Sequence, residues 1–229
     1  MKNCRHELKL SIHPFDRELL LRRLSCVLRK DENTRGKGYY TVRSIYFESS
    51  RDAALQEKQL GPNCRERFRI RIYNEDSSFI RLEKKVKNGS LGYKESACLS
   101  LQECKYILSG KYEFLIERSE MVCRQLYTKM RMELYRPRTI VEYERQAFLW
   151  EAAQVRITID SYIRTGLNPA DFLNFHPPMD VAVDDRISIL EIKYDDYLPA
   201  FIKDLLQLDR RQCSSKPTWS RTVLGNAQS

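Results

Sequence analysis

Two neighbouring segments of the chain carry a charged side chain at every second position. Such a period of two is typical of β-strands, in which alternate side chains lie on one face. A row of like charges on a sheet repels itself and loses hydration, so it needs water or an opposite charge in front of it. A polyanion with many phosphate oxygens suits such a row, because Arg supplies bidentate forks and Lys supplies point charges. The charged positions are Arg65, Arg67, Arg69, Arg71, Arg81, Glu83, Lys85 and Lys87.

The overall charge also favours an anionic partner. The 229 residues include 40 Lys and Arg against 31 Asp and Glu, a net charge of +9, which does not distinguish nucleic acid, phosphate and a membrane surface. No apolar run reaches the length of about 18 residues that a membrane span needs, and the N-terminus lacks the apolar core of a secretion signal. The seven cysteines lack CxxC spacing, which predicts reduced thiols in a cytoplasmic protein and no structural zinc.

The patterns along the chain predict an α+β protein with an antiparallel sheet, organised as a single domain over residues 1–229. A capping box from Ser100 to Glu103 predicts a helix start, and residues 166–180 are expected to form a long loop. Further helices are predicted at 16–28, 52–60, 113–132 and 199–207. Strands are predicted at 4–12, 39–48, 65–73, 79–87, 91–98, 138–147, 155–163 and 187–194, with a turn at 74–78.

A basic row with a single carboxylate recurs on several of these strands. An open sheet would leave all of these charges in water, but the pattern recurs on at least five strands. We therefore expect the sheet to close into a barrel of about eight strands, with the helices packed outside, because such a barrel leaves a cavity for one small ligand chain. Basic side chains in this tunnel would bind phosphates. A few carboxylates would hold a divalent metal ion, as in other phosphoryl-transfer sites.

Eight segments then carry a family resemblance. They are RHELKL at 5–10, YTVRSIYFES at 40–49, RFRIRIY at 67–73, IRLEKKVK at 80–87, YERQAF at 143–148, VRITID at 155–160, LEIKY at 190–194 and Ser215-Lys216. In this order they resemble the VTC domain, the catalytic domain of polyphosphate polymerases. That domain is part of the triphosphate tunnel metalloenzyme, or CYTH-like, superfamily.

The resemblance implies a phosphotransferase that uses Mn²⁺ or Mg²⁺ to move the γ-phosphoryl group of ATP onto a polyphosphate chain. It leaves a membrane-protein partner open. Nucleic-acid binding through the net charge is a further alternative, but the charges alternate inward on many strands and the sequence has no DNA- or RNA-binding motif, so we expect no nucleic-acid partner. By resemblance the catalytic residues are Arg69, Arg71, Lys85, Arg145, Arg156 and Lys216; the substrate-binding residues are Lys9, Arg67, Lys87, Lys94, Lys193 and Ser215; and the metal ligands are Glu191 and Glu83.

Two positions depart from the superfamily pattern. Hydrolytic members carry Glu-x-Glu-x-Lys on the first strand, but here Arg5 replaces the first Glu, which favours transfer over a two-carboxylate hydrolase site. Pro217 stands where the family has an aromatic residue. The alternatives are a hydrolase of triphosphate or tripolyphosphate on the same fold, and a non-catalytic polyphosphate or nucleotide sensor. Asp160 is expected to lie on the inward face, where it pairs with a neighbouring arginine.

Overall fold

The computed structural model describes residues 6–34, 36–49, 64–88, 91–182 and 187–207. These residues form an antiparallel sheet and four α-helices, which confirms the α+β class. The helices are α1 (Pro14–Val27), α2 (Leu101–Leu108), α3 (Met121–Met132) and α4 (Ala200–Leu206). The strands are β1 (His6–Ile12), β2 (Arg29–Lys30), β3 (Tyr40–Glu48), β4 (Cys64–Tyr73), β5 (Asp76–Asn88), β6 (Leu91–Leu99), β7 (Arg136–Trp150), β8 (Val155–Gly166), β9 (Asp180–Val181) and β10 (Ser188–Tyr194).

The strands pair in the order β1-β10-β8-β7-β3-β4-β5-β6, with β2 added to β7 and β9 added to β8. Within the described residues, β1 and β6 end this order and each has one partner strand. A barrel closes only when its two edge strands exchange backbone hydrogen bonds. The prediction of a closed barrel is therefore wrong, because the hydrogen-bonded order is open at both ends.

The fold divides into two compact units. Unit 1 comprises Met1–Thr41, Tyr143–Arg164 and Val181–Ser229, and unit 2 comprises Val42–Glu142 and Thr165–Asp180. The prediction of a single domain over residues 1–229 stays a prediction.

In unit 1, alternation along β8 and β10 separates an apolar face from a polar one. Ile157 and Ile159 of β8, with Leu190 and Ile192 of β10, are buried in one hydrophobic cluster with residues of α1 and α4. Because neighbouring side chains of a strand point to opposite faces, Glu191 must lie on the other face. The helix residues of this cluster are Leu20, Leu24, Ile202 and Leu206.

Unit 2 repeats this arrangement on β4 and β5. Phe68, Ile70 and Ile72 of β4 are buried with Ile80 and Leu82 of β5. They pack with apolar residues of α2 and α3, which cover this side of the sheet. Arg67, Arg69 and Arg71 of β4 consequently lie with Arg81, Glu83 and Lys85 of β5 on the opposite face. Lys84 is the exception, since it lies over the Phe68 ring on the apolar side and pairs with Glu66.

Three local predictions from the sequence concern a capping box, a turn and a short helix, and the structure describes the first two. The capping box is confirmed: the Ser100 hydroxyl accepts from the Glu103 backbone N–H at 3.2 Å, and the Glu103 carboxylate accepts from the Ser100 N–H at 2.7 Å. The turn after β4 is confirmed as well, with Asn74 and Glu75 both at positive φ, as a tight hairpin requires. The predicted helix at 52–60 lies outside the described residues.

The predicted helix at 113–132 is wrong in its first half. A 3₁₀ turn spans Glu113–Ile116, and α3 begins only at Met121. The intervening chain is held by Arg118, whose guanidinium donates to Glu103 and to Glu120, both at 2.6 Å. This tertiary contact fixes the break, and helical periodicity alone does not predict it.

Two further expectations can be compared with the structure. Among the described residues, no helix combines the length and the apolar character needed to cross a membrane. Among the cysteines that the structure describes, Cys26, Cys98, Cys104 and Cys123 are free thiols, and the reduced state of all seven stays a prediction.

A fully buried arginine ties several segments of unit 2 together. Arg43 of β3 donates to Glu142 of β7 at 2.5 Å and to Glu75 of the β4–β5 turn at 2.8 Å. It also donates to the backbone carbonyls of Asn174 and Phe172, at 2.6 Å and 3.3 Å. Burial of a guanidinium is tolerated only with such complete pairing.

We expect Arg43→Met to lower the free energy of unfolding by about 3 kcal/mol, because it leaves two part-buried carboxylates and two backbone carbonyls without this partner. Urea unfolding followed by circular dichroism measures this. Arg131→Met, at an exposed position of α3, is the matched control and should change stability by less than about 0.5 kcal/mol. Equal stabilities of the two variants would contradict the assigned role.

Candidate functional site

The register of β4 and β5 assembles a charged face in unit 2. Arg69 lies opposite Glu83, and Arg67 lies opposite Lys85. On the far side of β5, Lys85 lies opposite Lys94 of β6. Five of the residues predicted to bind phosphate or metal therefore occupy neighbouring positions of one sheet.

Glu83 is the centre of this face. Its side chain is 2% exposed, and its Oε2 accepts from Arg69 Nη2 at 2.6 Å and from Nε at 2.8 Å. Its Oε1 accepts from Lys94 Nζ at 2.8 Å. Burial raises the pKa of Glu83, but the attraction of Arg69, Arg71 and Lys94 outweighs it and lowers the pKa to about 2. The carboxylate is therefore charged near neutral pH and holds its cations in place.

Strand β3 adds two polar groups to the arginine row. Arg69 Nη1 donates to the Tyr46 hydroxyl at 3.2 Å, and Arg71 Nε donates to the Ser44 hydroxyl at 3.0 Å. The sequence analysis missed both acceptors. Their positions, i and i+2 on a predicted strand, were the available signal, because they share a face.

Unit 1 has a corresponding centre at Glu191. Its buried carboxylate accepts from Lys9 Nζ at 2.8 Å and from Lys193 Nζ at 3.0 Å. Burial alone raises the pKa of Glu191, but Lys9 and Lys193, a hydrogen bond with Glu7 and the charge of Arg145 together lower it far below its usual value. Burial lowers the pKa of Lys9, and the attraction of the two glutamates outweighs this effect and raises it.

Glu7 is a second carboxylate that the sequence analysis did not include in the site. Lys9 Nζ lies 3.0 Å from Glu7 Oε1 and 2.8 Å from Glu191 Oε1, so one ammonium joins the two carboxylates. The antiparallel register explains this contact, because Glu7 faces Lys193 and Lys9 faces Glu191. The signal in the sequence was the Glu-x-Lys spacing on β1.

Two arginines of unit 1 are oriented by carboxylates. Arg145 makes a two-pronged pair with Asp160, at 2.6 Å and 2.7 Å, which confirms the expectation that Asp160 pairs with an arginine. Burial lowers the pKa of Arg145, whereas the charge of Asp160 raises it well above its usual value. Arg156 donates to Asp31 at 2.9 Å and to the Tyr40 hydroxyl at 3.1 Å.

The structure thus groups most of the predicted site residues by unit. The side chain of Lys87, and both Ser215 and Lys216, lie outside the described part of the chain. Unit 2 brings together Arg67, Arg69, Arg71, Lys85, Lys94 and Glu83, and unit 1 brings together Lys9, Lys193, Glu191, Arg145 and Arg156.

The donor set in unit 1 fits a divalent metal of the type that the resemblance implies. Over the described ranges, no group of three or more His, Cys, Asp or Glu side chains could hold a metal ion. Mg²⁺ and related ions, however, commonly use one or two carboxylates and take further ligands from water and substrate phosphates. Glu7 and Glu191 supply such a pair. Lysines contact both oxygens of Glu191, as Arg69 and Lys94 contact both oxygens of Glu83, so a metal ion at either glutamate would replace a cation.

The depressed pKa of Glu83 predicts a pH dependence of stability. Because the pKa of Glu83 in the folded protein, about 2, lies below the ordinary 4.5, its ionised form stabilises the fold above pH 4.5. That contribution is lost as the pH falls toward about 2. Between about pH 5 and about pH 2, the parent protein should lose about 3 kcal/mol more stability than Glu83→Gln. Urea titrations at several pH values measure this.

The control for this prediction is Glu113→Gln, which removes an exposed carboxylate of the same unit. Its pH dependence should match that of the parent protein. If Glu83→Gln also matched the parent, the assigned pKa of Glu83 would be wrong.

Comparison with known proteins concerns the family and the fold of the chain. Residues 4–221 match the VTC domain family. A candidate adenylate cyclase from Bacillus halodurans has a similar structure, with a TM-score of 0.56, 17% identity and coverage of 96% of this chain and 97% of that one. The PH1012 protein from Pyrococcus horikoshii OT3 gives a TM-score of 0.49 at 10% identity, covering 94% and 98% of the two chains. A search of curated proteins gave no match.

The family match covers most of the sequence, and the likeness to the Bacillus protein shows a common fold. The resemblance identified from the eight sequence segments is therefore confirmed. The chain belongs to the VTC domain family.

Proposed function

We propose that the protein is a metal-dependent polyphosphate polymerase that transfers the γ-phosphoryl group of ATP to the end of a polyphosphate chain. The observation that carries the proposal is a basic strand face in each unit, arranged around a neutralised glutamate, within a member of the VTC domain family. The partners we propose are ATP and inorganic polyphosphate.

Phosphoryl transfer of this kind requires little covalent chemistry from the protein. The attacking terminal phosphate is already anionic at neutral pH, so alignment and charge neutralisation are the main requirements. Arg69 and Arg71 are positioned by hydrogen bonds to Glu83, Tyr46 and Ser44, and Arg145 is positioned by Asp160. Preoriented guanidinium groups of this kind bind phosphate oxygens without first reorganising.

The lysines have a different role in this proposal. Lys85 and Lys94 are exposed on the face of unit 2, where their flexible ammonium groups would offset the charge of a passing polyphosphate chain. Lys9 and Lys193 flank Glu191 and would do the same in unit 1. A catalytic role for Lys216 and substrate-binding roles for Lys87 and Ser215 stay predictions.

Glu191 and Glu7 are the residues that would hold Mn²⁺ or Mg²⁺. Such an ion would neutralise negative charge on phosphate oxygens during transfer. Lys9 would then keep the two carboxylates together and limit their mutual repulsion. A ligand role for Glu83 stays a prediction.

A hydrolase of triphosphate or tripolyphosphate is the second candidate. The adjacent carboxylates of Glu7 and Glu191 favour it, because a pair of carboxylates can hold a metal that activates water. The replacement of a further first-strand glutamate by Arg5 had favoured transfer. The two reactions differ in the acceptor of the phosphoryl group, which is water in one and a phosphate chain in the other.

The products of ATP turnover distinguish these candidates. We expect purified protein with ATP and Mn²⁺ or Mg²⁺ to produce a ladder of lengthening polyphosphate chains, together with matching ADP. A short polyphosphate primer should shorten any lag before chain growth begins. Gel separation of polyphosphate and quantification of ADP measure both products, and free phosphate without a ladder would instead support the hydrolase.

Glu191→Gln should abolish metal-dependent turnover, with a loss of at least about a hundred-fold, because the carboxylate that anchors the metal is gone. Binding of polyphosphate should persist, since the arginines of unit 2 are untouched. Glu151→Gln, which removes an exposed carboxylate of unit 1, is the control and should leave turnover unchanged. Retained turnover with lost binding in Glu191→Gln would contradict the assignment.

A further inference from the structure

Unit 2 contains a cavity beside its arginine row. The cavity has a volume of about 290 Å³ and opens at the surface between the end of β3 and the start of β7. Its walls include Leu134, Pro137, Leu167 and Pro169, and its charged groups come from Glu48, Arg136 and Arg138. An apolar wall with a few polar groups is typical of a site for a small molecule.

The leucines of this cavity are unusually placed. Leu134 and Leu167 are 44% and 59% exposed, although both are large apolar residues. Leu134 also has a φ of 57°, in the left-handed region that a leucine seldom adopts. Leu134 follows the C-terminal end of α3, where a left-handed residue commonly ends a helix, and the Tyr135 N–H donates to the Lys129 carbonyl there at 3.2 Å. The fold therefore presents an apolar edge to solvent at this place.

Glu48 provides the polar feature of the cavity. Its Oε1 atom is buried, and no described residue donates a hydrogen bond to it. Burial raises the pKa of Glu48, although the charges of Arg138 and Arg67 oppose this shift. A buried carboxylate oxygen without a donor is costly, so a ligand that supplied an N–H group would relieve that cost.

The cavity adjoins the phosphate-binding face. Glu48 follows Tyr46 by two residues on β3, so the two side chains share a face. Tyr46 accepts from Arg69, and Arg67 acts electrostatically on both Tyr46 and Glu48. The arginine row therefore ends beside the cavity.

We propose that this cavity binds the nucleobase of the nucleoside triphosphate, with Glu48 Oε1 accepting a hydrogen bond from an exocyclic amino group of the base. The apolar faces of Leu134 and Leu167 would contact the ring. The phosphates would extend from the cavity along Arg67, Arg69 and Arg71. The Arg136 guanidinium of the cavity already donates to the carbonyls of Met130 and Tyr135, whereas Glu48 Oε1 has no donor among the described residues, so the cavity takes the donor-bearing end of the nucleotide. This inference rests on the proposed function, because it assigns the nucleoside part of the same substrate.

Three ligands test this assignment by calorimetry: ATP, purine riboside triphosphate, which lacks the amino group, and inorganic tripolyphosphate. The parent protein should bind ATP roughly ten-fold more tightly than purine riboside triphosphate, as loss of a hydrogen bond to a charged acceptor predicts. Glu48→Ala should bind the two nucleotides about equally well. Its affinity for tripolyphosphate should stay within about two-fold of the parent value. Glu113→Gln serves as the control and should keep the parent preference.

A second variant tests the assignment in case Glu48→Ala fails to fold. Leu134→Gly suits the left-handed backbone at that position, so it should fold at least as well as the parent. Loss of the apolar wall should weaken the binding of ATP about five-fold and leave the affinity for tripolyphosphate unchanged.

Each outcome has one meaning. Equal affinity of the parent protein for ATP and purine riboside triphosphate, or an unchanged preference in Glu48→Ala, would overturn the nucleobase assignment and leave the proposed function standing. Failure of the parent protein to bind either ATP or tripolyphosphate would overturn the proposed function itself.

Discussion

Both units depend on one interaction, in which a buried carboxylate is neutralised by basic side chains on the same face of the sheet. Glu83 holds Arg69 and Lys94 in unit 2, and Glu191 holds Lys9 and Lys193 in unit 1. Without these carboxylates, closely spaced cations on one sheet would repel one another. Each glutamate therefore makes it possible to concentrate positive charge on a face whose reverse side forms a hydrophobic core.

That arrangement also supports the proposed binding of a phosphate ligand. A guanidinium already oriented by Glu83 or Asp160 loses little conformational entropy when it binds an oxyanion. The surrounding hydroxyls of Tyr46 and Ser44 restrict the arginines further. The proposed nucleobase site at Glu48 extends the same principle, since a buried acceptor and an apolar wall are already formed beside the arginine row.

Periodicity predicted the strands and their charged faces correctly because alternation is a local property of the backbone. Closure of the sheet was predicted wrongly, since it depends on which edge strands meet. The prediction of one helix over 113–132 was wrong because it too depends on contacts between distant residues. Arg118 contacts Glu103 and Glu120, and these contacts interrupt the helix. Glu7 was missed because its role follows from the register of β1 against β10.

The sequence by itself determined the fold class, the family and the identity of the basic rows, because these follow from residue types at short, regular spacings. Only the tertiary structure decided the pairing of each charge, because pairing depends on strand register and burial. It set Glu191 against Lys9 and Lys193, and it left Glu48 Oε1 without a donor among the described residues. These long-range contacts turn a pattern of alternating charges into a candidate binding site.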